Sequence, residues 1–426
     1  MAKFMAEKGI SLLKLAEERA ELKKELEEEK RKLKQSLIPY IPNGCISNIL
    51  LRLPLESLQR TRFVCKMWYK IINSRNFIDV HLRSSESVII FLVPAIKGAF
   101  FHYDNSVLQT NLDAFSVESK LFQLQSVPFL GRSLLDQSSL FCMKFMEIRG
   151  GKIKMGDYKT TCLGNIRASC YGLIILDNVM KKGGLIVMNP VTRELSRLPL
   201  GTLYPPNDES YGLAYCQNIG KFKLVHLFRD EMQFIGCEIL ILGDNSWKMV
   251  DGPGFGLLGW FGYDPIFAIG AIHWVPHIDH SDYIVSMAVD DDKFRVIQLP
   301  KSCRTCDRIV EIGGNLGFVV HDEVNQTDVW ILRDLDGEGW TKKFSIGEGY
   351  LGDMTPLYFS RISCEIIFKD KDGQLYAYDC GLHLMRKVEM KQVGFPADGW
   401  FLPHVNSLIS WRMPVDDDSV QNILSL

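Results

Sequence analysis

The 426-residue sequence lacks a charge imbalance: 49 Lys and Arg stand against 51 Asp and Glu, a formal charge of −2. No global field therefore gathers nucleic acid or an anionic membrane surface. A cysteine framework is also missing. Eleven Cys are scattered without regular spacing, and their number is odd. The first thirty residues are densely charged and carry no apolar core of the kind a secretory signal has. Reduced, mostly buried thiols in a cytoplasmic or nuclear protein are expected. Long uninterrupted apolar runs are scarce. The stretch from Pro253 to Val275 contains Asp264, Pro265 and several Gly, so turn chemistry breaks it and no membrane span is expected. An apolar fraction of 46% excludes wholesale disorder. With 34 Gly and many aromatics, the chain suits a β-rich fold with many tight turns.

Catalytic signatures are likewise sparse. No nucleophile elbow, P-loop or paired-carboxylate motif stands out. Gly254-Phe255-Gly256-Leu257-Leu258-Gly259 matches a dinucleotide pattern on paper, but Trp260 to Pro265 after it is no helix start. Cys303-Arg304-Thr305-Cys306 has neither a second pair for zinc nor a thioredoxin-like context. His273, His277, Asp279 and His280 are metal-ligand types, yet Trp274-Val275-Pro276 forbids the helix that their spacing would need. No catalytic residue, metal or cofactor is expected. Asp290-Asp291-Asp292 is expected to form a hairpin turn, and Asp416-Asp417-Asp418 a solvated tail.

What is present divides into three parts: residues 1–37, 38–85 and 86–426. Glu7 to Lys34 is a mixed-charge helix. Leu12, Leu15, Arg19, Leu22, Leu26, Glu29 and Leu33 recur at heptad spacing, with two of the seven charged. A short dimerising coiled coil and a solvated single helix both fit.

Residues Ile41 to Leu82 carry the most specific pattern. Cys45, Ile46, Ile49, Leu50 and Leu53 lie at helical spacing, and Pro54 stops that helix. Asn43 is expected to cap it, with Gly44 weakening the first turn. Leu55, Leu58, Phe63, Val64, Met67, Trp68, Ile71 and Ile72 follow. Two or three short helices result, with more apolar surface than they can bury on themselves. Such surplus implies a partner. Arg60, Arg62 and Lys66 are placed on the second helix, as solvated charge or as contacts to that partner.

After Val88 the pattern changes to short strands, including Val88–Val93, Ala99–Tyr103, Leu121–Gln125, Gly172–Leu176, Leu185–Met188, Lys223–Phe228 and Glu238–Leu242, separated by Gly, Asn, Asp and Pro. Related segments recur at Arg193–Pro199, Ser246–Val250, Phe294–Pro300, Gly339–Phe344 and Leu384–Val388, roughly every 45 to 50 residues, the period of a four-stranded propeller blade. Lys120–Leu124 is a candidate earlier copy, followed by an insertion near Gly131–Lys159. About six blades are expected, with Ser407–Trp411 supplying a strand that closes the ring. The fold class is thus α+β and multidomain: an N-terminal helix, a small all-α module, and an all-β, kelch-like propeller.

Ile41-Pro42, Ile49-Leu50, Leu53-Pro54, Ser57-Leu58, Val64-Cys65-Lys66-Met67-Trp68 and Phe77-Ile78 with His81-Leu82 resemble the F-box. Ala168 to Leu173, Asn189-Pro190-Val191-Thr192-Arg193-Glu194, Tyr211 to Tyr215 and Gly270-Ala271-Ile272-His273-Trp274 resemble the F-box-associated domain of plant F-box proteins. The resemblance implies the substrate-receptor subunit of a Skp–cullin–F-box ubiquitin ligase. It implies that Ile41, Pro42, Ile49, Leu50, Leu53, Pro54, Leu58, Val64, Cys65 and Trp68 dock on a Skp-type adaptor, and through it on cullin and a RING protein. The β domain is then expected to hold a protein target through its loops. A non-ligase scaffold dimerising through the first helix is the alternative, and a propeller enzyme a remoter one.

Overall fold

The computed structural model describes residues 19–30, 41–94, 141–162, 164–178, 181–203, 209–229, 232, 234–254, 264–276, 280–303, 307–321, 326–335, 339–347, 354–389 and 402–412. The chain divides into two units, Met1–Leu53 with Asp418–Leu426, and Pro54–Asp417.

In the first unit, residues 19–30 form helix α1, with every side chain exposed, Leu22 and Leu26 among them. The rest of the expected heptad seam lies outside the described residues. Helix α2 spans Asn43–Leu50. Its N-cap is Pro42, no side chain caps it, and its first turn holds no acid. Asn43 is therefore the first helical residue and not the cap, because the fixed φ of Pro42 already sets the chain for entry one residue earlier. The helix ends at Leu50, and Leu51 to Leu53 continue as a turn in which Leu53 N donates to Leu50 O at 3.0 Å.

The second unit opens with three helices: α3 (Leu55–Thr61), α4 (Lys66–Ile72) and α5 (Arg75–Ser84). Pro54 is the N-cap of α3, so the same Leu-Pro step that closes the preceding turn starts the next helix. Cys65 is extended and its Sγ accepts from Trp68 N at 3.5 Å; this cap separates α4 from α3. It also divides the basic group: Arg60 lies on α3, Arg62 follows it, and Lys66 opens α4. Ser74 Oγ caps α5 by accepting from Phe77 N at 3.4 Å. Helix α5 buries Phe77, Ile78, His81 and Leu82, an i, i+1, i+4, i+5 stripe.

Six four-stranded antiparallel sheets follow. The first blade holds β1 (Ser87–Pro94), β2 (Phe141–Arg149), β3 (Lys152–Cys162) and the last strand, β24 (Leu402–Val405). The second holds β4 (Ile166–Cys170), β5 (Leu173–Asn178), β6 (Gly184–Asn189) and β7 (Glu194–Arg197). The third runs β8 (Glu209–Cys216), β9 (Lys221–Arg229), β10 (Ile235–Ile241) and β11 (Lys248–Val250). The fourth runs β12 (Ile266–Ala268), β13 (Ala271–Trp274), β14 (Ser281–Ala288) and β15 (Phe294–Cys303). The fifth has β16 (Arg308–Ile312), β17 (Asn315–His321), β18 (Thr327–Leu332) and β19 (Thr341–Ile346). The sixth has β20 (Thr355–Ser360), β21 (Glu365–Lys369), β22 (Leu375–Asp379) and β23 (Leu384–Lys387).

The recurring segments read from the sequence are the fourth strands of their blades: β7, β11, β15, β19 and β23. They carry the clearest alternation because their outer faces meet water, whereas middle strands such as β9 are buried nearly throughout. Residues 141–159 are no insertion: they are the second and third strands of the first blade. The candidates at Ala99–Tyr103 and Lys120–Gln125 lie outside the described residues. Apolar clusters fill the gaps between successive blades, as where Ile272 and Trp274 meet Ala214, Val225 and Ile239.

Ring closure is made by β24, which pairs with β1 from Ser87↔Val405 to Ile90↔Leu402. The closing strand thus lies just before Ser407–Trp411, which is buried irregular chain. Its backbone groups find partners outside any ladder. Asn189 Nδ2 donates to Ser407 O (3.1 Å) and Ile409 O (2.8 Å), and Ser407 Oγ donates to Tyr171 O (2.6 Å). Gly172, at φ +95°, allows this approach, since a Cβ there would stand 2.0 Å from Ser407 Oγ.

Candidate functional site

Two surfaces carry the functional argument. The first is the set of exposed apolar side chains on the short helices, taken unit by unit. In the first unit Ile41 and Ile49 are 45% and 55% exposed and Pro42 is exposed, whereas Leu50 has no accessible surface. In the second unit Phe63 and Val64, on the turn between α3 and α4, are 70% and 65% exposed. Met67, Cys65 and Pro54 are exposed and Trp68 is half-buried, as is Leu53 at the end of the first unit. Leu58 is fully buried. Leu50 and Leu58 thus have no accessible surface in this structure. Phe63 and Met67 join the exposed set. Their signal was visible as apolar residues interrupting a run of Arg, Thr, Cys and Lys. Phe63 and Val64 lie on the turn after α3 ends at Thr61, and the Arg62 guanidinium covers one face of the Phe63 ring at 4.8 Å.

The second surface is the propeller. In each antiparallel blade the turn between strands one and two and the turn between strands three and four emerge on the same face. Helices α3–α5 touch that face. Gln59 Nε2 donates to Val191 O in the β6–β7 turn. Arg75 donates to Gly220 O at 3.4 Å in the β8–β9 turn. The opposite face is left uncovered by these helices. Met232 and Phe234, in the β9–β10 connection, and Leu200 and Leu203, between β7 and β8, are exposed there.

Beneath this opposite face lies a charged network between the second and third blades. Arg167 Nε donates to Asp177 Oδ1 at 2.6 Å, and its terminal nitrogen stands 3.2 Å from Glu209 Oε1. His226, fully buried, holds Glu238 Oε1 at 2.8 Å through Nδ1 and stands 3.3 Å from Glu209 Oε2 through Nε2. Burial opposes charge on His226, but the two carboxylates outweigh it and raise its pKa. Glu238 also accepts from Thr202 N (2.8 Å), and Tyr211 stacks on the imidazole at 4.3 Å. Asp264, preceding β12, is crowded by protein and pushed up to about 7, with Arg167 opposing the rise.

Of the four residues of the histidine cluster, the structure describes His273 and His280. His273 is buried in β13, with Nδ1 2.7 Å from Ser286 Oγ and Nε2 3.1 Å from Ala268 O, and burial takes it down to about 4. His277 and Asp279 lie outside the described residues, and His280 is exposed. Among the described residues no group of three His, Cys, Asp or Glu could hold a metal. Cys303 is buried with its Sγ toward Asp307 O at 4.0 Å, and Cys306 lies outside the described residues, as do Phe255–Gly259. Asp290–Asp292 form the β14–β15 turn, where Asp292 receives the Lys223 ammonium at 2.6 Å. No helix among the described residues is long and apolar enough to cross a membrane.

Comparison with known proteins agrees with this architecture. The family described as the F-box associated beta propeller domain matches residues 141–405, and the F-box domain matches residues 38–79. F-box protein CPR1 of Arabidopsis thaliana is 25% identical over 390 residues, covering 82% of this chain and 84% of that protein. F-box protein At5g49610 of the same plant is 24% identical over 391 residues, covering 85% and 95%. F-box/kelch-repeat protein At3g23880, also from Arabidopsis thaliana, is 24% identical over 352 residues, covering 80% and 88%. The chain belongs to the F-box-associated β-propeller family and is a plant F-box protein.

Proposed function

We propose that this chain is the receptor subunit of a Skp–cullin–F-box ubiquitin ligase, with residues 38–85 docking on a Skp-type adaptor and residues 86–426 holding a protein target. The observation that carries the reading is the exposure of Ile41, Ile49, Phe63, Val64 and Met67 in a module matched by the F-box family. Large apolar side chains in water are the anchors that interfaces bury. The proposed contact set is Ile41, Pro42, Ile49, Leu53, Pro54, Val64, Cys65 and Trp68, extended by Phe63 and Met67. The target side is the propeller face opposite α3–α5, because those helices already occupy the other. The chain supplies proximity and orientation to a conjugating enzyme and no nucleophile of its own. The odd number of scattered cysteines, without a paired framework, is the basis for placing the protein in a reducing compartment, the cytoplasm or nucleus.

The test is co-purification with a Skp-type adaptor of the wild type and of Leu53→Ala plus Pro54→Ala. Undiminished binding by the double variant would remove those two residues from the contact, and no binding by the wild type would end the reading. Exposed Leu22 and Leu26 on α1 support an accessory role in pairing two copies. Sedimentation of a chain lacking residues 1–35 decides that point: the mass halves if the helix pairs, and stays unchanged if it does not.

A further inference from the structure

Helices α3–α5 meet the propeller through three polar anchors, and the anchors fall on three different blades. Gln59 reaches the carbonyl of Val191 on the second blade. Arg75 reaches the carbonyl of Gly220 on the third, and its guanidinium lies over the Tyr215 ring at 4.6 Å. Glu86, in the step from α5 to β1, accepts from Arg361 N at 3.0 Å and Ile362 N at 3.2 Å on the sixth. Its Oε1 also accepts from Ser87 N at 2.9 Å, which orients the carboxylate. All three address backbone groups of turns, so each reads where a blade ends and not which side chain it carries.

Three points around a ring are not collinear. A body held at all three cannot rock about any one of them. Beside the Arg75 anchor, buried Ile78 shares a small crevice with Tyr215, Ile409 and Trp411, which adds apolar contact there. The other side of the helices stays open, with Phe63, Val64 and Met67 exposed. The division of the chain agrees: α3–α5 fall in the same compact unit as the propeller, and the boundary lies at Leu53–Pro54.

We propose that Gln59, Arg75 and Glu86 form a three-point mount that fixes the adaptor-facing surface of α3–α5 relative to the opposite face of the propeller. They are positioning residues for ubiquitin transfer. The functional half of this proposal rests on the adaptor reading above; the mount itself does not. A target presented by a swinging receptor dilutes its lysines over a larger volume, whereas a fixed receptor presents a few of them repeatedly.

Amide hydrogen exchange on the full chain tests the mount. Arg75→Ala with Glu86→Ala accelerates exchange along Phe77–Leu82 by about tenfold or more, while β14 in the fourth blade keeps its wild-type rate. Arg75→Lys, which keeps a cation over Tyr215 and a donor for Gly220 O, stays within about threefold of wild type. Unchanged helix exchange in the double variant, or equal acceleration in β14, overturns the mount. The positioning role is read in a ligase reconstituted from this chain with Skp adaptor, cullin, RING protein and a ubiquitin-charged conjugating enzyme. Self-modification is confined to a few lysines in the wild type and spreads over more in the double variant, at unchanged adaptor affinity. An identical lysine pattern overturns the positioning role. Failure of the wild type to bind adaptor would refute the adaptor reading alone, with the exchange comparison still deciding the mount.

Discussion

Asn189 is the residue whose removal best tests how the ring is held shut. Its side chain is fully buried and makes four hydrogen bonds. The Oδ1 accepts from Val191 N (2.9 Å) and Thr192 N (3.1 Å), which shapes the β6–β7 turn. The Nδ2 donates to Ser407 O and Ile409 O, which ties down the run that follows the closing strand. In Asn189→Ala the two turn amides, on half-buried residues, regain water at small cost. The two carbonyls sit on buried residues and do not, so each costs about 1–2 kcal/mol. The expected loss is about 3 kcal/mol in total, which a urea titration followed by tryptophan fluorescence resolves. Asn189→Asp discriminates further. It keeps the turn acceptor but aims a carboxylate at two carbonyl oxygens, so it destabilises at least as much as Ala. A loss under about 1 kcal/mol for Ala, or a tolerated Asp, would refute the reasoning.

Gly44→Ala stiffens the first turn of α2, where nothing stands within 4 Å of an added Cβ. The gain is about 0.5–1 kcal/mol, seen as about threefold slower amide exchange at Leu50, and an unchanged rate would contradict it. Asp264→Asn should remove a pH dependence. The folded pKa of about 7 lies above the ordinary 3.8, so the wild type gives up stability as pH rises from about 4 through 7. The variant is therefore more stable than wild type at pH 8 by about 1–2 kcal/mol after allowance for partial exposure, and the difference shrinks toward pH 5. Thermal unfolding at the two pH values checks the sign; a variant less stable at pH 8 would refute it.

The sequence conveyed the blade repeat because each fourth strand faces water on one side and so alternates. It conveyed less about middle strands, whose residues are apolar on both faces, and it misplaced the first blade. That blade takes its innermost strand from Leu402–Val405 and its outer two from Phe141–Cys162, so no local period marks it. The helical module was legible as apolar spacing, but not which side each residue takes. Leu58 and Val64 look alike as letters, yet Leu58 is buried within α3 and Val64 is exposed on the turn that follows the end of α3 at Thr61. The charged network was illegible: Arg167, Asp177, Glu209, His226 and Glu238 are spread over five strands and form no motif. The same holds for Gln59, Arg75 and Glu86, whose partners are backbone atoms far along the chain.

The central claim is that exposed apolar residues beside Cys65 bind a Skp-type adaptor. Calorimetric titration of adaptor into wild type and Val64→Asp tests it most directly. A central anchor is worth about 2 kcal/mol or more, which weakens Kd by about thirtyfold. Val64 is exposed in the free chain, so the variant should keep the wild-type unfolding midpoint. Unchanged affinity in Val64→Asp, or no measurable binding by the wild type, would contradict the account.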